Sequence, residues 1–423
     1  MRVLMLSWEF PPRIIGGLGR HVDRLTEALT AEGHDVFVLT RDAPETPFEE
    51  VRNRIHVHRV PEYPPQVPFE DLVSWVLQFN LGLVEVGVPL LHQKQVDVIH
   101  AHDWLVAYAA CTLHNIFKVP LVSTIHATEY GRHQGWLPGD MNRLIHQVEW
   151  WLTYMSRRVV TCSTYMRDQV ERIFELPHHK MDVVPNGVAL RMGDGAGEAA
   201  PADPVVLFAG RLEYEKGVQT LIAAAPAIVA RHPRARFEIA GDGTYGAELR
   251  RLVAESPLAG RFTFHGFVDD VEMPSLYRRA SVVVAPSIYE PFGIVALEAM
   301  AAKVPVIVGD TGGLRELVAD GENGLCVRPE DAGHLADLVD SVLSDPGLAD
   351  RLVAGGSRDS VSRSWRAIAR RTAGIYEKSI DEERELRRDS GIVERTPLRL
   401  VWGDSTAYQR AIAPELFEAS SGE

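Results

Sequence analysis

At 423 residues and 46% apolar content, the chain is too long for one ordinary domain and carries enough apolar matter for two cores. A formal charge of −14 argues against a general role on nucleic acid or an anionic membrane surface, so any phosphate site must be a local basic pocket. Three cysteines, Cys111, Cys162 and Cys326, sit in apolar runs without C-x-x-C spacing, which argues against a disulfide or zinc framework and fits a reducing compartment. The apolar run at residues 1–7 is too short for a signal peptide, and no transmembrane-length stretch is expected after it. The expectation is a cytoplasmic protein.

Residues 3–7 read as a first buried strand, followed by a glycine loop over residues 14–19 and a helix through residues 20–31, where Val22, Leu25, Ala28 and Leu29 keep helical spacing. Residues 36–40 predict a second strand. A variable, Pro/Glu-rich segment near residues 42–70 and a helical region near 70–93 come before further strands at 96–100, 121–125 and 159–162. Strands alternating with helices predict a parallel, doubly wound sheet for residues 1–187. Residues 188–204, rich in Gly, Ala and Pro, have the composition of a flexible linker.

The alternation restarts at residues 205–210 and continues at 237–240, 262–265, 282–285 and 304–308, so residues 205–363 form a second α/β domain. The expected fold class is therefore α/β, with two Rossmann-like domains facing each other across a cleft. Gly241-Asp242-Gly243-Thr244-Tyr245-Gly246 matches G-x-G-x-x-G but follows the second strand of its domain and lacks the distal acid, so it reads as a turn lining the cleft. Residues 364–378 predict an amphipathic helix packing back on the first domain, and residues 379–423 form an extension without an assigned role. That extension includes a charge-laced helical piece at 381–388 and an apolar patch at 398–402.

The chemistry concentrates at the ends of the strands. After the strand at 282–285, a loop carries Glu290 and then a helix rich in Ala, Leu, Met and Glu begins near Gly293. The free N–H groups of Phe292, Gly293 and Ile294 would face an anion at that helix start. Glu290 can reach a neutral polyol, and Glu298, about two turns along, can accept from a ribose. In the loop after the strand at 205–210, Arg211 and Lys216 are both placed to hold a diphosphate. Arg211 can fork onto two oxygens, and Lys216 acts as a point charge. In the first domain Gly16 and Gly17 let backbone approach a ligand closely. Asp103 follows a strand and would project into the cleft, and His126 with Glu129 forms another polar cluster at a strand end.

Glu290-Pro291-Phe292-Gly293 with Glu298, and Gly210-Arg211-Leu212 with Lys216-Gly217, resemble the donor-site motifs of retaining family 4 glycosyltransferases of the GT-B fold. The resemblance spans residues 1 to about 376. The opening Ser7-Trp8-Glu9-Phe10-Pro11-Pro12, the Gly16-Gly17-Leu18 loop and His100-Ala101-His102-Asp103-Trp104 are similar to bacterial glycogen-synthase-like α-1,4-glucosyltransferases, the actinobacterial ones especially. The resemblance implies that His126 contacts the donor sugar at the reacting centre, by its side chain or its backbone, and that Asp103 orients the acceptor or helps to stabilise the transition state. It further implies that Arg211 and Lys216 hold the diphosphate, Glu290 the sugar hydroxyls and Glu298 the ribose, with Val268 beside the nucleobase. Glu129 belongs to the acceptor side. One departure is Ile14, which stands where bacterial glycogen synthases usually carry a lysine two residues before Gly-Gly-Leu.

The implied reaction moves glucose from ADP- or UDP-glucose to an α-1,4-glucan or related oligosaccharide, with retention. The competing readings are a family 4 mannosyl- or hexosyltransferase acting on a lipid, inositol or small molecule, and a sugar-nucleotide epimerase on the same architecture. No Asp-x-Asp occurs, so no metal and no other cofactor is expected, and the basic pair takes over the diphosphate. The expected partners are the nucleotide sugar and a saccharide acceptor, with no nucleic acid and with room for a homo-oligomer.

Overall fold

The computed structural model describes residues 1–61, 72–188 and 203–389. Among these, a first sheet contains β1 (Arg2–Leu6), β2 (Asp35–Arg41), β3 (Glu49–Arg52), β4 (Ile55–Val60), β5 (Val98–His102), β6 (Leu121–Ile125), β7 (Arg158–Thr161) and β8 (Met181–Val183). Their order is β3-β4-β2-β1-β5-β6-β7-β8, parallel throughout except for the β3–β4 hairpin. A second sheet contains β9 (Val205–Ala209), β10 (Arg236–Ala240), β11 (Phe262–Gly266), β12 (Val282–Ala285), β13 (Val306–Gly309) and β14 (Leu325–Val327). It is wholly parallel, in the order β11-β10-β9-β12-β13-β14. Counted within its own domain this is the 3-2-1-4-5-6 order of a doubly wound nucleotide fold, and its switch point lies between β9 and β12.

The strands are near-continuous apolar runs because both faces of each sheet are covered. In the first sheet Leu4, Leu6, Leu39, Ile99 and Ala101 pack on one side, while Val3, Met5, Val36, Val98 and Val122 pack on the other. Burying each such side chain contributes about 1.5–3 kcal/mol.

Four strands were not foreseen. The segment expected to be variable holds β3, the edge strand, and β4 beside it, where Ile55 and Val57 alternate with His56 and His58. β8 and β14 are three residues each, too short for a periodic signal. A second correction concerns membrane spans. The helix Leu72–Lys94 is long and apolar enough to cross a membrane, contrary to the expectation that no such stretch occurs. Val73, Val76, Leu83 and Leu90 are buried in the first domain's core. Its Gly87 lies so close to the layer below that an added Cβ would come within 2.7 Å of Leu113 and 3.2 Å of Leu39. One face of this helix is packed in the core, while Leu77 and Leu81 on it stay exposed.

The two helical pieces expected beyond residue 363 are one helix, Trp365–Asp389. Its Ile368, Ala369, Ala373 and Tyr376 join Val3, Met5 and Val98 under the first sheet. Arg366 and Arg370 each reach Glu32 of the first domain at 2.6 Å. Val188 bridges to Ser364, so the chain's two crossings between domains run side by side. The rest of the expected linker, residues 189–202, lies outside the described residues, as does the apolar patch at 398–402.

Candidate active site

The second-domain half of the site is assembled where the loops after β9 and β12 meet. Gly217, at φ +74°, lies so close to the β12 loop that a Cβ there would sit 2.0 Å from the Pro286 carbonyl oxygen. The N–H of Ile288 donates to the Glu215 carbonyl at 2.8 Å. This backbone-to-backbone seam brings Lys216 Nζ to 2.8 Å from Glu290 Oε2. Arg211 lies beside them, 3.6 Å from Glu215 and 40% exposed, so it is the more accessible cation of the pair. Gly293, at φ +98°, turns the chain into the helix Ile294–Ala301. The N–H groups of Phe292, Gly293 and Ile294 make no hydrogen bond among the described residues. Glu298 is held by the Tyr277 hydroxyl, which donates at 2.8 Å, and burial pushes its carboxyl above the ordinary range. Val268 is buried just beyond β11.

The glycine motif at 241–246 has a packing explanation. A Cβ at Gly241 would lie 1.8 Å from the Gly210 carbonyl oxygen, and one at Gly243 would lie 2.5 Å from that of Leu212. These glycines let the β10 loop lie directly on the β9 loop that carries Arg211.

The first domain faces this surface with its own switch-point loops, after β1 and β5. Glu9 accepts from Ile15 N–H at 2.8 Å and Gly16 N–H at 2.9 Å through one oxygen, and from Trp8 Nε1–H at 3.0 Å through the other. Its carboxylate thus occupies two donors of the glycine loop. A Cβ added to Gly16 would lie 3.6 Å from Arg211 Cδ, and one at Gly17 would lie 3.2 Å from Ile294 Cδ1, so the loop rests against the second domain.

Asp103 is buried at φ +59° and accepts the His126 backbone N–H at 2.7 Å, with Ala127 N–H as a further donor. Burial raises its carboxyl to about 6. Four histidines gather beside it. His102 Nδ1 is 3.1 Å from His126 Nε2, and the His21 and His126 rings meet edge to face with centroids 4.7 Å apart. His21 Nδ1–H donates to Asn186 Oδ1 at 2.7 Å. His100 bonds Tyr376 and Thr124, both at 2.7 Å. Burial, assisted by neighbouring charge, lowers His21 and His126 to about 3 and holds His100 and His102 well below the ordinary range, so all four are neutral at pH 7.

Residues 15–191 match the family model "Glycosyltransferase Family 4" and residues 196–359 match "Glycosyl transferases group 1". The chain is 40% identical to the glycogen synthase of Mycobacterium tuberculosis, over 93% of this chain and 99% of that protein. The chain belongs to the family 4 glycosyltransferases. Among solved structures, this glycosyltransferase is similar to sucrose-phosphate synthase from Thermosynechococcus elongatus, with a TM-score of 0.78 and 28% identity over 89% of this chain and 98% of that one. It shares its fold with the catalytic domain of starch synthase IV from Arabidopsis thaliana bound to ADP and acarbose (TM-score 0.70, 19% identity, 90% and 99% covered). Both sheets and these likenesses are those of the GT-B fold.

The glycosyltransferase thus brings Arg211, Lys216, Glu290, Glu298 and the backbone N–H groups of Phe292–Ile294 to one edge of the second sheet, against Gly16 and Gly17. Asp103 and Glu129 are placed otherwise than as free cleft carboxylates. Asp103 clamps the turn after β6, and Glu129 accepts from Asn142 Nδ2 at 2.6 Å and lies 3.1 Å from His133 Nε2. Sequence reasoning missed Glu9, His21, His102 and Asn186, and also Arg20, whose guanidinium lies 3.6 Å from Glu298. The period-2 spacing of His100 and His102 in an otherwise apolar strand was a usable signal for two inward histidines. Among the described residues, His21, His102 and His126 form a group that could hold a metal ion, with one ring nitrogen of each within 4.8 Å of the others.

Proposed function

We propose that this glycosyltransferase moves glucose, with retention, from ADP- or UDP-glucose to an α-1,4-glucan or related oligosaccharide, and needs no metal to do so. The observation that supports the reading is the seam of β9 and β12 loops, which brings together Arg211, Lys216, Glu290 and the N–H groups of Phe292–Ile294, unpartnered among the described residues. The high identity to a glycogen synthase over nearly the whole chain supports glucose and glucan over other sugars and acceptors. The ADP bound to starch synthase IV from Arabidopsis thaliana, which shares the fold, supports an NDP-sugar donor.

In this reading Arg211 and Lys216 take the diphosphate, Phe292–Ile294 N–H groups its terminal oxygens, Glu290 the glucose hydroxyls and Glu298 the ribose. Val268 lines the base. As the C1–O bond to the diphosphate breaks, charge grows on the leaving oxygen, where fixed cations and N–H groups stabilise it most. The acceptor hydroxyl forms the new C1–O bond on the same face and passes its proton to the departing phosphate oxygen, giving the nucleoside diphosphate and a glucan longer by one unit. Lys216 is already paired with Glu290, so the donor enters a neutral pair and redirects it. His126, neutral and partly exposed, meets the sugar. Asp103 acts through the backbone it holds.

The test is nucleotide release with ADP-, UDP- and GDP-glucose and GDP-mannose, with and without maltooligosaccharide. Release that requires both a glucose donor and maltooligosaccharide, with longer α-1,4 chains as product, is expected. Turnover confined to GDP-mannose, or unresponsive to maltooligosaccharide, overturns the glucan reading. Activity abolished by EDTA and restored by Mg²⁺ or Mn²⁺ overturns the metal-free diphosphate site.

A further inference from the structure

We infer that His102 is a positioning residue that fixes the tautomer of His126, so that His126 offers its Nδ1–H to the reacting sugar as a hydrogen-bond donor. The inference rests on the role proposed above for His126.

The geometry is a short chain of rings at the ends of β5 and β6. His102 is the last residue of β5, and its ring is fully buried. Its Nδ1 lies 3.1 Å from His126 Nε2, with the two rings inclined by only 26°. Its Nε2 is buried and has no hydrogen-bond partner among the described residues. A neutral imidazole has one N–H and one lone pair, so the single proton of His102 sits on one of these two atoms.

If the proton were on Nε2, a buried N–H would be left without an acceptor, a situation folded proteins almost never retain. With the proton on Nδ1, only a lone pair goes unmatched, and the contact with His126 is a hydrogen bond donated by His102. Orphaned acceptors are the commoner and cheaper defect. His102 Nδ1–H therefore donates to His126 Nε2, which must carry a lone pair. The one remaining position for the proton of His126 is Nδ1.

His126 is partly exposed, and its Nδ1 makes no hydrogen bond among the described residues. Its backbone is pinned separately by Asp103, so the ring is oriented from both ends. His21 is fixed by the same logic, since its Nδ1–H is committed to Asn186 Oδ1 and a lone pair is left on Nε2. The result is a neutral donor aimed by a second imidazole. It can stabilise a sugar oxygen without placing a cation next to the oxocarbenium-like carbon that forms during transfer.

The experiment pairs ring ¹⁵N–¹H correlation spectra of the histidine-labelled wild-type enzyme with kinetics of His102→Asn, His102→Gln and His102→Leu. In the wild type both His102 and His126 are expected to carry their protons on Nδ1, a result that needs no variant to fold. Asn places an amide donor near the position of Nδ1, whereas Gln places one near Nε2 and Leu has none. The expectation is that kcat falls about tenfold or more in the Gln and Leu variants at nearly unchanged donor KM, the scale of losing one oriented proton donor. The Asn variant should stay within a few-fold of wild type. A proton on Nε2 of either ring in the wild type overturns the inference. So does a His102→Leu enzyme with full kcat when His126→Ala is inactive. Full turnover by His126→Ala removes the proposed role of His126 itself and the inference with it.

Discussion

Lys216 and Glu290 show how single residues share the work of this site. Their 2.8 Å pair is only 16% and 19% exposed, so each neutralises the other until a donor arrives. Removing the lysine leaves Glu290 unpaired and takes a cation from the leaving group. Lys216→Ala should therefore cut turnover by about a hundredfold or more, as losing a charged transition-state partner does; near-normal turnover would take Lys216 out of the mechanism. His100 carries a different prediction. Burial first, then the positions of His21 and His126, hold its folded-state pKa well below the ordinary 6.5. Below that pH the unfolded chain binds a proton that the folded chain does not. The stabilisation is thus complete above pH 6.5 and is lost as pH falls, at about 1.4 kcal/mol per pH unit. His100→Gln removes this one proton, so urea unfolding of the variant should lose stability less steeply than wild type between pH 6.5 and 5. Parallel slopes would mean that His100 already titrates in the folded protein.

At the scale of elements, the loops after β9, β10 and β12 are packed backbone on backbone, and glycine is what permits it. Gly241 has φ +140° and no room for a Cβ beside the Gly210 carbonyl, so Gly241→Ala must push the Arg211 loop aside. We expect a loss of roughly 3 kcal/mol or more, or insolubility, together with impaired turnover. Gly260→Ala, where nothing lies within 4 Å, should change stability by no more than about 0.5 kcal/mol. Thermal unfolding of the two variants side by side tests the contrast, and equal melting temperatures would refute it. This packing also marks where the sequence was legible. Apolar runs such as residues 121–125 and 282–285 announce buried strands, and the order of strand, glycine loop and helix located Arg211, Lys216 and Glu290. What local pattern does not encode is the partner across space. Nothing adjacent to Glu9 shows that its carboxylate holds Ile15 and Gly16, and nothing adjacent to Asp103 shows that the main chain of His126, 23 residues on, engages it. The edge strand β3 and its neighbour β4 escape a local reading because a half-polar strand looks like a loop when read alone.

Among the described residues, ion pairs and hydrogen bonds from helices and loops join the domain of the first sheet to that of the second. Arg20 of the first domain reaches Asp270 at 3.1 Å and Glu298 at 3.6 Å, and Arg24 reaches Asp270 at 3.3 Å. Away from these, the Ser163 hydroxyl donates to the Pro291 carbonyl at 2.7 Å, and Glu316 accepts from Thr164 N–H at 2.9 Å. The arginine pairs are partly exposed, so each contributes no more than about 1 kcal/mol, and salt weakens them. These ion pairs are thus the salt-sensitive part of the contact, whereas Tyr289, buried and bonded to Gln169 at 3.2 Å, does not depend on them. Arg20 also occupies the carboxylate proposed to meet the ribose, so donor binding has to replace that contact with its own. A double variant, Arg20→Ala with Arg24→Ala, removes the ion pairs and leaves the Ser163 and Glu316 contacts in place. Its solution scattering without ligand should show a larger radius of gyration than wild type at low ionic strength. High salt should expand wild type toward the same value and leave the variant unchanged. Adding the nucleoside diphosphate should compact both, because the anion then bridges Arg211 and Lys216 to the glycine loop. Scattering profiles that coincide for wild type and variant under every condition would show that the ion pairs do not govern closure, and that the apolar seam between Gly17 and Ile294 is enough to hold the domains together.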